Sequence, residues 1–266
     1  MRKIYTIRNL KQQQEHMWSS NKVEDEVSVC GLRHIEGLFL HHLPQGEKIL
    51  EAGCGLGAWV IYLGELGYDI DGIDHDARVI ERLKAWRPSL PVSRGNICQL
   101  PYEDGSVGAY ISLGVMEHFE EGCGKAMAEA HRVLRTGGLL FFTVPLENIF
   151  RRFVAHPLRD LYLWWRRLKG DPIHFAEYRY TRQEVEDMLR EHGFEPLLTD
   201  WDDFAPRNMS LGIWADFPQL HDRTPYRLNG LGKLLARVLN SLSRWLLSGG
   251  VFCLARKVEC ERSPGL

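Results

Sequence analysis

Three glycines in five residues, Gly53, Gly55 and Gly57, follow the apolar pair Ile49-Leu50 and precede a stretch that can continue as a helix. With Cys54 between them they form a strand-to-helix loop. Glycine accepts positive φ and lets a ligand approach the backbone, while the helix behind the loop offers unpaired N–H groups. With Ala58 the spacing also satisfies G-x-G-x-x-G/A, the dinucleotide-loop fingerprint. A tight connection with no ligand would use the same residues. Roughly 20 residues after such a loop, an acid at the end of a second strand can accept both ribose hydroxyls. Asp69-Ile70-Asp71-Gly72-Ile73-Asp74-His75 stands at that place. Asp74, at the strand's end, is the candidate, and Asp76 fits better as the N-cap of the next helix.

These residues need a scaffold that brings strand ends together. Short apolar strands are predicted at 48–52, 69–74, 92–96, 108–113, 138–144, 195–201 and 251–258. Helices are predicted at 58–66, 77–86 (stopped before Pro88), 125–134 and 181–192. Thr181 and Glu184 make a capping box, and Gly193 is a helix stop. Near-continuous apolar strands alternating with helices predict an α/β fold, a doubly wound, mostly parallel seven-stranded sheet covered on both faces. The whole chain, 1–266, reads as one domain. Residues 1–47 read as an N-terminal helical cap, with 24–43 as its helical portion. Residues 147–180 and 202–248 are insertions that form a substrate lid.

The 33 lysines and arginines against 35 acids give a formal charge of −2, which argues against a generally basic nucleic-acid binder. Apolar residues make up 44% of the chain, enough for a substantial core and too many for disorder. The N-terminus lacks the apolar region of a secretory signal, and no apolar run reaches the 18 or so residues of a membrane span. The six cysteines contain no C-x-x-C pair, so they are expected as reduced cytoplasmic thiols rather than zinc ligands. No metal is expected, and nothing in the sequence sets an oligomeric state.

Four segments in order, LEAGCGLGAW, DGIDHD, LPYEDGSVGAYISLGVMEHF and EAHRVLRTGGLLFFTVP, resemble the class I S-adenosylmethionine-dependent methyltransferases, in detail the methyltransferase type 11 branch. GFEPLLTDW and VFCLARK are weaker matches near the end. The resemblance implies S-adenosyl-L-methionine as cofactor and S-adenosyl-L-homocysteine as product. It places Glu51, Gly53, Cys54, Gly55 and Gly57 beneath the methionine part, Asp74 on the ribose and His75 beside the adenine. A carboxylate at Glu51 would repel a pyrophosphate and suits a cationic ligand, which weighs against NAD. Asn96-Ile97 stand where the branch commonly has an acid and an aliphatic residue against adenine. The Asn96 oxygen can accept from the adenine amine. Leu113 would line the methyl end. Gly108 replaces an acid common in the branch and reads as a structural substitution.

Methyl transfer from a sulfonium is an in-line displacement, so a protein has to align the acceptor, exclude water and, where needed, take a proton. His118, after the fourth strand, is the candidate base because histidine titrates near neutrality. Packing of the Glu117-His118 pair against the loop is its other reading. In the first insertion, arginines mix with Trp164, Trp165 and other aromatics, and His174, Phe175, Tyr178, Arg179 and Tyr180 are candidate lid residues; ordinary packing is their alternative. Leu231, Leu234, Leu235, Val238 and Leu242 recur at helical spacing opposite Lys233, Arg237 and Arg244. Residues 231–247 are therefore either a helix packed on its own domain or one that lies peripherally on an anionic membrane. The function expected is methyl transfer to a small-molecule or lipid-linked acceptor. The alternatives are an NAD-dependent oxidoreductase and a non-catalytic cofactor-binding module of the same fold. Nucleic acid is not an expected partner.

Overall fold

Six of the seven residues in VGAYISL are buried, because the strand they form lies at the centre of a sheet with helices on both faces. The computed structural model describes residues 1–9, 21–222 and 226–259. Residues 10–20 of the expected cap, 223–225 of the second insertion and Cys260 lie outside them.

In chain order the strands are β1 (Arg2–Thr6), β2 (Ile49–Ala52), β3 (Ile70–Asp74), β4 (Val92–Arg94), β5 (Val107–Leu113), β6 (Leu134–Pro145), β7 (His174–Arg179), β8 (Phe194–Asp202) and β9 (Gly250–Lys257). The helices are α1 (Val23–Cys30), α2 (His34–His42), α3 (Ala58–Glu65), α4 (Ala77–Trp86), α5 (Gly124–Val133), α6 (His156–Leu168), α7 (Arg182–Glu191), α8 (Leu211–Asp216), α9 (Gly230–Leu242) and α10 (Arg244–Leu247). The main sheet has seven strands in the order β4-β3-β2-β5-β6-β9-β8. β2 through β6 pair in parallel, and β9 runs antiparallel between β6 and β8. This is the doubly wound, mostly parallel sheet expected. Alternating residues of β6 divide the core. Leu140 and Phe142 meet α5 and α7, whereas Phe141 meets Phe39 of α2 and the α3 side. Thr181 and Glu184 cap α7 reciprocally, as their spacing predicts.

Two expectations need correction. The N-terminal segment is not wholly helical. Residues 2–6 form β1, which pairs antiparallel with β7 in a separate two-stranded sheet. Only Ile4 of β1 is buried, so the local pattern was too weak to show a strand whose partner lies some 170 residues away. The 231–247 helix is broken at Ser243, whose extended backbone (φ −167°, ψ 139°) ends α9 and whose hydroxyl caps α10. Gly108 does replace an acid for structural reasons. Any side chain there would collide with the Glu47 carboxylate, which holds Arg135 through two bonds of 2.6 and 2.8 Å.

The basic residues of the first insertion do not all face outward. Arg151 is 2% exposed and donates to Asp216 at 2.6 Å, to the Leu146 carbonyl at 3.0 Å and to the Ser248 carbonyl at 2.7 Å. Arg179 binds the other Asp216 oxygen at 2.7 Å and Glu177 at 2.8 Å. Burial alone would raise the Asp216 carboxyl, but Arg151 and Arg179 hold it well below the usual carboxylate range. Asp216 thereby ties both insertions to the end of β6. Removing one partner of a buried ion pair strands the others, so Asp216→Ala is expected to cost about 3–5 kcal/mol in urea unfolding. A loss under 1 kcal/mol would show that the cluster is not what joins the insertions.

Candidate active site

The loop after β2 is held in shape by the next strand. The Gly53 and Cys54 N–H groups both donate to the Ile73 carbonyl, at 2.7 and 3.0 Å. Gly53 has φ 84°, and a Cβ there would collide with both methyls of Val115. Gly57, at φ 66°, is the left-handed N-cap from which α3 starts. The Gly55 N–H donates to Asp74 Oδ2 at 2.9 Å, and the Asp76 N–H donates to Asp74 Oδ1 at 2.9 Å. Each Asp74 oxygen keeps one acceptor position for a further hydroxyl. Asp76 caps α4 by accepting from the Arg78 N–H, as its position predicted.

Glu51 is buried, and its Oε2 has no hydrogen-bond partner. Burial pushes its carboxyl up to about 8; the Val60 N–H lowers it, and the nearby Asp74 charge raises it further. A buried carboxyl with one oxygen unpartnered beside a glycine loop fits a ligand ammonium, which would pair with it and ionise it. S-adenosylmethionine carries such an ammonium and a ribose for Asp74, so the residues present fit it. A pyrophosphate would meet Glu51 instead. The sheet order also departs from the 3-2-1-4-5-6 order typical of dinucleotide-binding folds, because antiparallel β9 is inserted beside β6. The NAD-dependent oxidoreductase alternative is withdrawn on both grounds.

The other expected cofactor residues gather at the same sheet edge. His75 is exposed, with Nδ1 3.4 Å from Asp74 Oδ1. Ile97 is buried just after β4, and Leu113 ends β5 half-buried. Asn96, exposed at the turn after β4, accepts the Cys98 N–H at 2.9 Å through Oδ1, and that oxygen keeps a second lone pair.

Val115, seated on the glycine loop, leads into a turn at Met116–His118. Glu117 there is 2% exposed, its Oε2 lacks a partner, and burial pushes its carboxyl up to about 7 despite the neighbouring His118. The sequence pointed to Glu117 only as the neighbour of His118 after the fourth strand and gave it no role of its own. His118 Nδ1 lies 2.7 Å from the Ala176 carbonyl, which can only accept, so Nδ1 carries a proton and Nε2, 3.9 Å from Glu117 Oε1, is the nitrogen not engaged by the backbone.

The expected lid residues are mostly packing residues. Tyr178 is buried and donates to the Glu120 carbonyl at 2.8 Å. Arg179 belongs to the Asp216 cluster. Tyr180 is buried beside Leu146, and Glu117 is among the charges acting on its hydroxyl. Phe175 and His174 are half-buried in β7, paired with Tyr5 and Thr6 of β1. Pairing with β1 fixes this segment, so it does not form a free lid.

Folded Glu51 holds its proton up to about pH 8, whereas the unfolded group releases it near its ordinary 4.5. The unfolded chain therefore binds fewer protons in that window, and this group lowers stability as pH rises through it, by up to about 1.4 kcal/mol per pH unit. Glu51→Gln should remove that slope. Binding of S-adenosylhomocysteine at pH 7 should release about one proton in wild type and none in the variant, read by titration calorimetry in buffers of different ionisation enthalpy. Equal proton release by both would exclude Glu51.

A methyltransferase-domain family model (Methyltransf_11) matches residues 50–142, the stretch from β2 to β6 that contains this site. A probable S-adenosylmethionine-dependent methyltransferase of Mycolicibacterium smegmatis is 30% identical over 59% of this chain and 55% of its own length. The chain spans about half the length of the mycobacterial relatives it matches. The demethylmenaquinone methyltransferase of Tropheryma whipplei is 30% identical over 59% of this chain and 69% of its own length. Among solved structures, an SAM-dependent methyltransferase of Methanosarcina mazei shares the fold with a TM-score of 0.56 at 17% identity, over 83% of this chain and 97% of that one. With the loop, the acids and the sheet order in agreement, the chain belongs to the class I S-adenosylmethionine-dependent methyltransferases.

Proposed function

We propose that this protein transfers a methyl group from S-adenosylmethionine to a small-molecule or lipid-linked acceptor. The observation that carries the reading is the buried Glu51 carboxyl, whose Oε2 has no partner, beside a glycine loop fastened to Asp74. The cofactor supplies the methyl group on a sulfonium leaving group. Glu51 binds the ammonium, and Asp74 accepts the ribose hydroxyls. Glu117 and His118, two and three residues beyond Val115, lie where an acceptor would meet the methyl end. His118 takes the acceptor's proton at Nε2, the nitrogen not engaged by the backbone. Glu117 beside it stabilises the imidazolium that results.

The acceptor class is supported by chemistry at the surface and by one relative's name, demethylmenaquinone methyltransferase. Leu231, Leu234, Val238 and Leu242 of α9 are all at least half exposed, and Asp and Glu are absent from 223–258. Peripheral contact of 231–247 with a membrane would present a lipid-linked acceptor. No helix among the described residues is long and apolar enough to cross one. A cytoplasmic location, facing such a surface, completes the proposal.

The test is incubation with methyl-labelled S-adenosylmethionine and an extract of the source organism, followed by identification of the labelled product. His118→Gln is expected to lower turnover about 100-fold or more at pH 7 while cofactor affinity stays unchanged, as for loss of a general base. Labelling at wild-type rate by the variant would remove His118 from the chemistry. No labelled product from any extract, with cofactor bound, would support the non-catalytic module instead.

A further inference from the structure

A cavity of about 460 Å³ opens at the carboxyl end of β8, between the segment that follows it and the polar flank of α9. Arg207, Lys233, Arg237 and Arg244 line it, with Asn240 and the edge of Trp201. Trp201 is clamped, with His34 stacked on its ring at 3.7 Å and Arg244 lying 4.9 Å from it. The cations are not neutralised. Among the described residues, Arg207, Lys233 and Arg237 have no ion pair, in contrast to Arg132, Arg135, Arg166 and Arg190, each of which holds a carboxylate. The acid at the cavity, Asp203, is turned inward. Its oxygens accept the N–H groups of Phe204 (2.7 Å), Leu211 (2.6 Å) and Gly212 (3.4 Å) and the Ser210 hydroxyl (3.0 Å).

Four cations that share one concave site repel one another unless an anion enters, and guanidinium and ammonium groups together suit phosphate oxygens. We propose that this cavity binds a phosphate group, carried either by a free metabolite or by a lipid headgroup. Its lining residues are not those of the methyl site, and three strand spacings of about 4.8 Å put β8 roughly 14 Å from β5, after which Glu117 and His118 stand. The inference stands without the methyl-transfer reading, because the experiment needs no cofactor.

The probes are inorganic pyrophosphate, by calorimetry at low salt, and vesicles of phosphatidylglycerol against phosphatidylcholine, by flotation. Wild type is expected to bind pyrophosphate at one saturable site, and the exposed pair Lys233→Gln/Arg237→Gln should bind at least about tenfold more weakly, as charge-assisted bonds are lost. Arg167→Gln, which removes an exposed charge on α6, should bind as wild type does, and thermal melting checks that each variant is folded. Pyrophosphate binding lost in the pair supports a free phosphate ligand. Flotation confined to phosphatidylglycerol and lost in the pair, without pyrophosphate binding, supports the headgroup. Binding to neither, or binding that the pair retains, overturns the site.

Discussion

The bond from the Gly55 N–H to Asp74 Oδ2 is the constraint on which the site depends. It joins the loop after β2 to the end of β3, and the Ile73 carbonyl reinforces it by taking the N–H groups of Gly53 and Cys54. The cofactor pocket is therefore formed where two adjacent parallel strands end. Asp74 is only 6% exposed, so its charge stays in a setting of low dielectric, where a further hydroxyl bond is worth more than it would be in water. Val115 closes the third side, and only a glycine at 53 leaves room for it.

Buried carboxyls recur around this edge with different partners and different consequences. Glu51 and Glu117 each have one oxygen without a partner and are held toward their neutral forms. Asp203 is also pushed up, to about 6, but its oxygens are spent on backbone and Ser210 donors. Asp216 is ionised between arginines. Of these four, Glu51 and Glu117 have an oxygen left for a ligand, and both lie beside the glycine loop or the turn that closes on it. The other two are structural, because their bonding capacity is consumed within the chain.

The strands of the sheet, the capping box, the glycine loop and the Asp76 cap were legible in the sequence, because each shows in residue types and spacing over a short stretch. What was not legible depends on distant partners. β1 is a strand only because β7 pairs with it. Arg151 and Arg179 resemble surface bases in sequence, yet Asp216, 65 and 37 residues away, buries them. Tyr178 and Tyr180 looked like lid residues for the same reason. Local chemistry marked the glycine loop and its acids, while long-range packing decided where the residues of the two insertions lie.

The most direct measurement is calorimetric titration of wild type and Asp74→Ala with S-adenosylhomocysteine and, separately, with NADH. The account predicts one site of micromolar affinity for S-adenosylhomocysteine in wild type, about 100-fold weaker binding in the variant as charged hydrogen bonds are lost, and no binding of NADH. Tight NADH binding without S-adenosylhomocysteine binding, or equal affinities in wild type and variant, would contradict it.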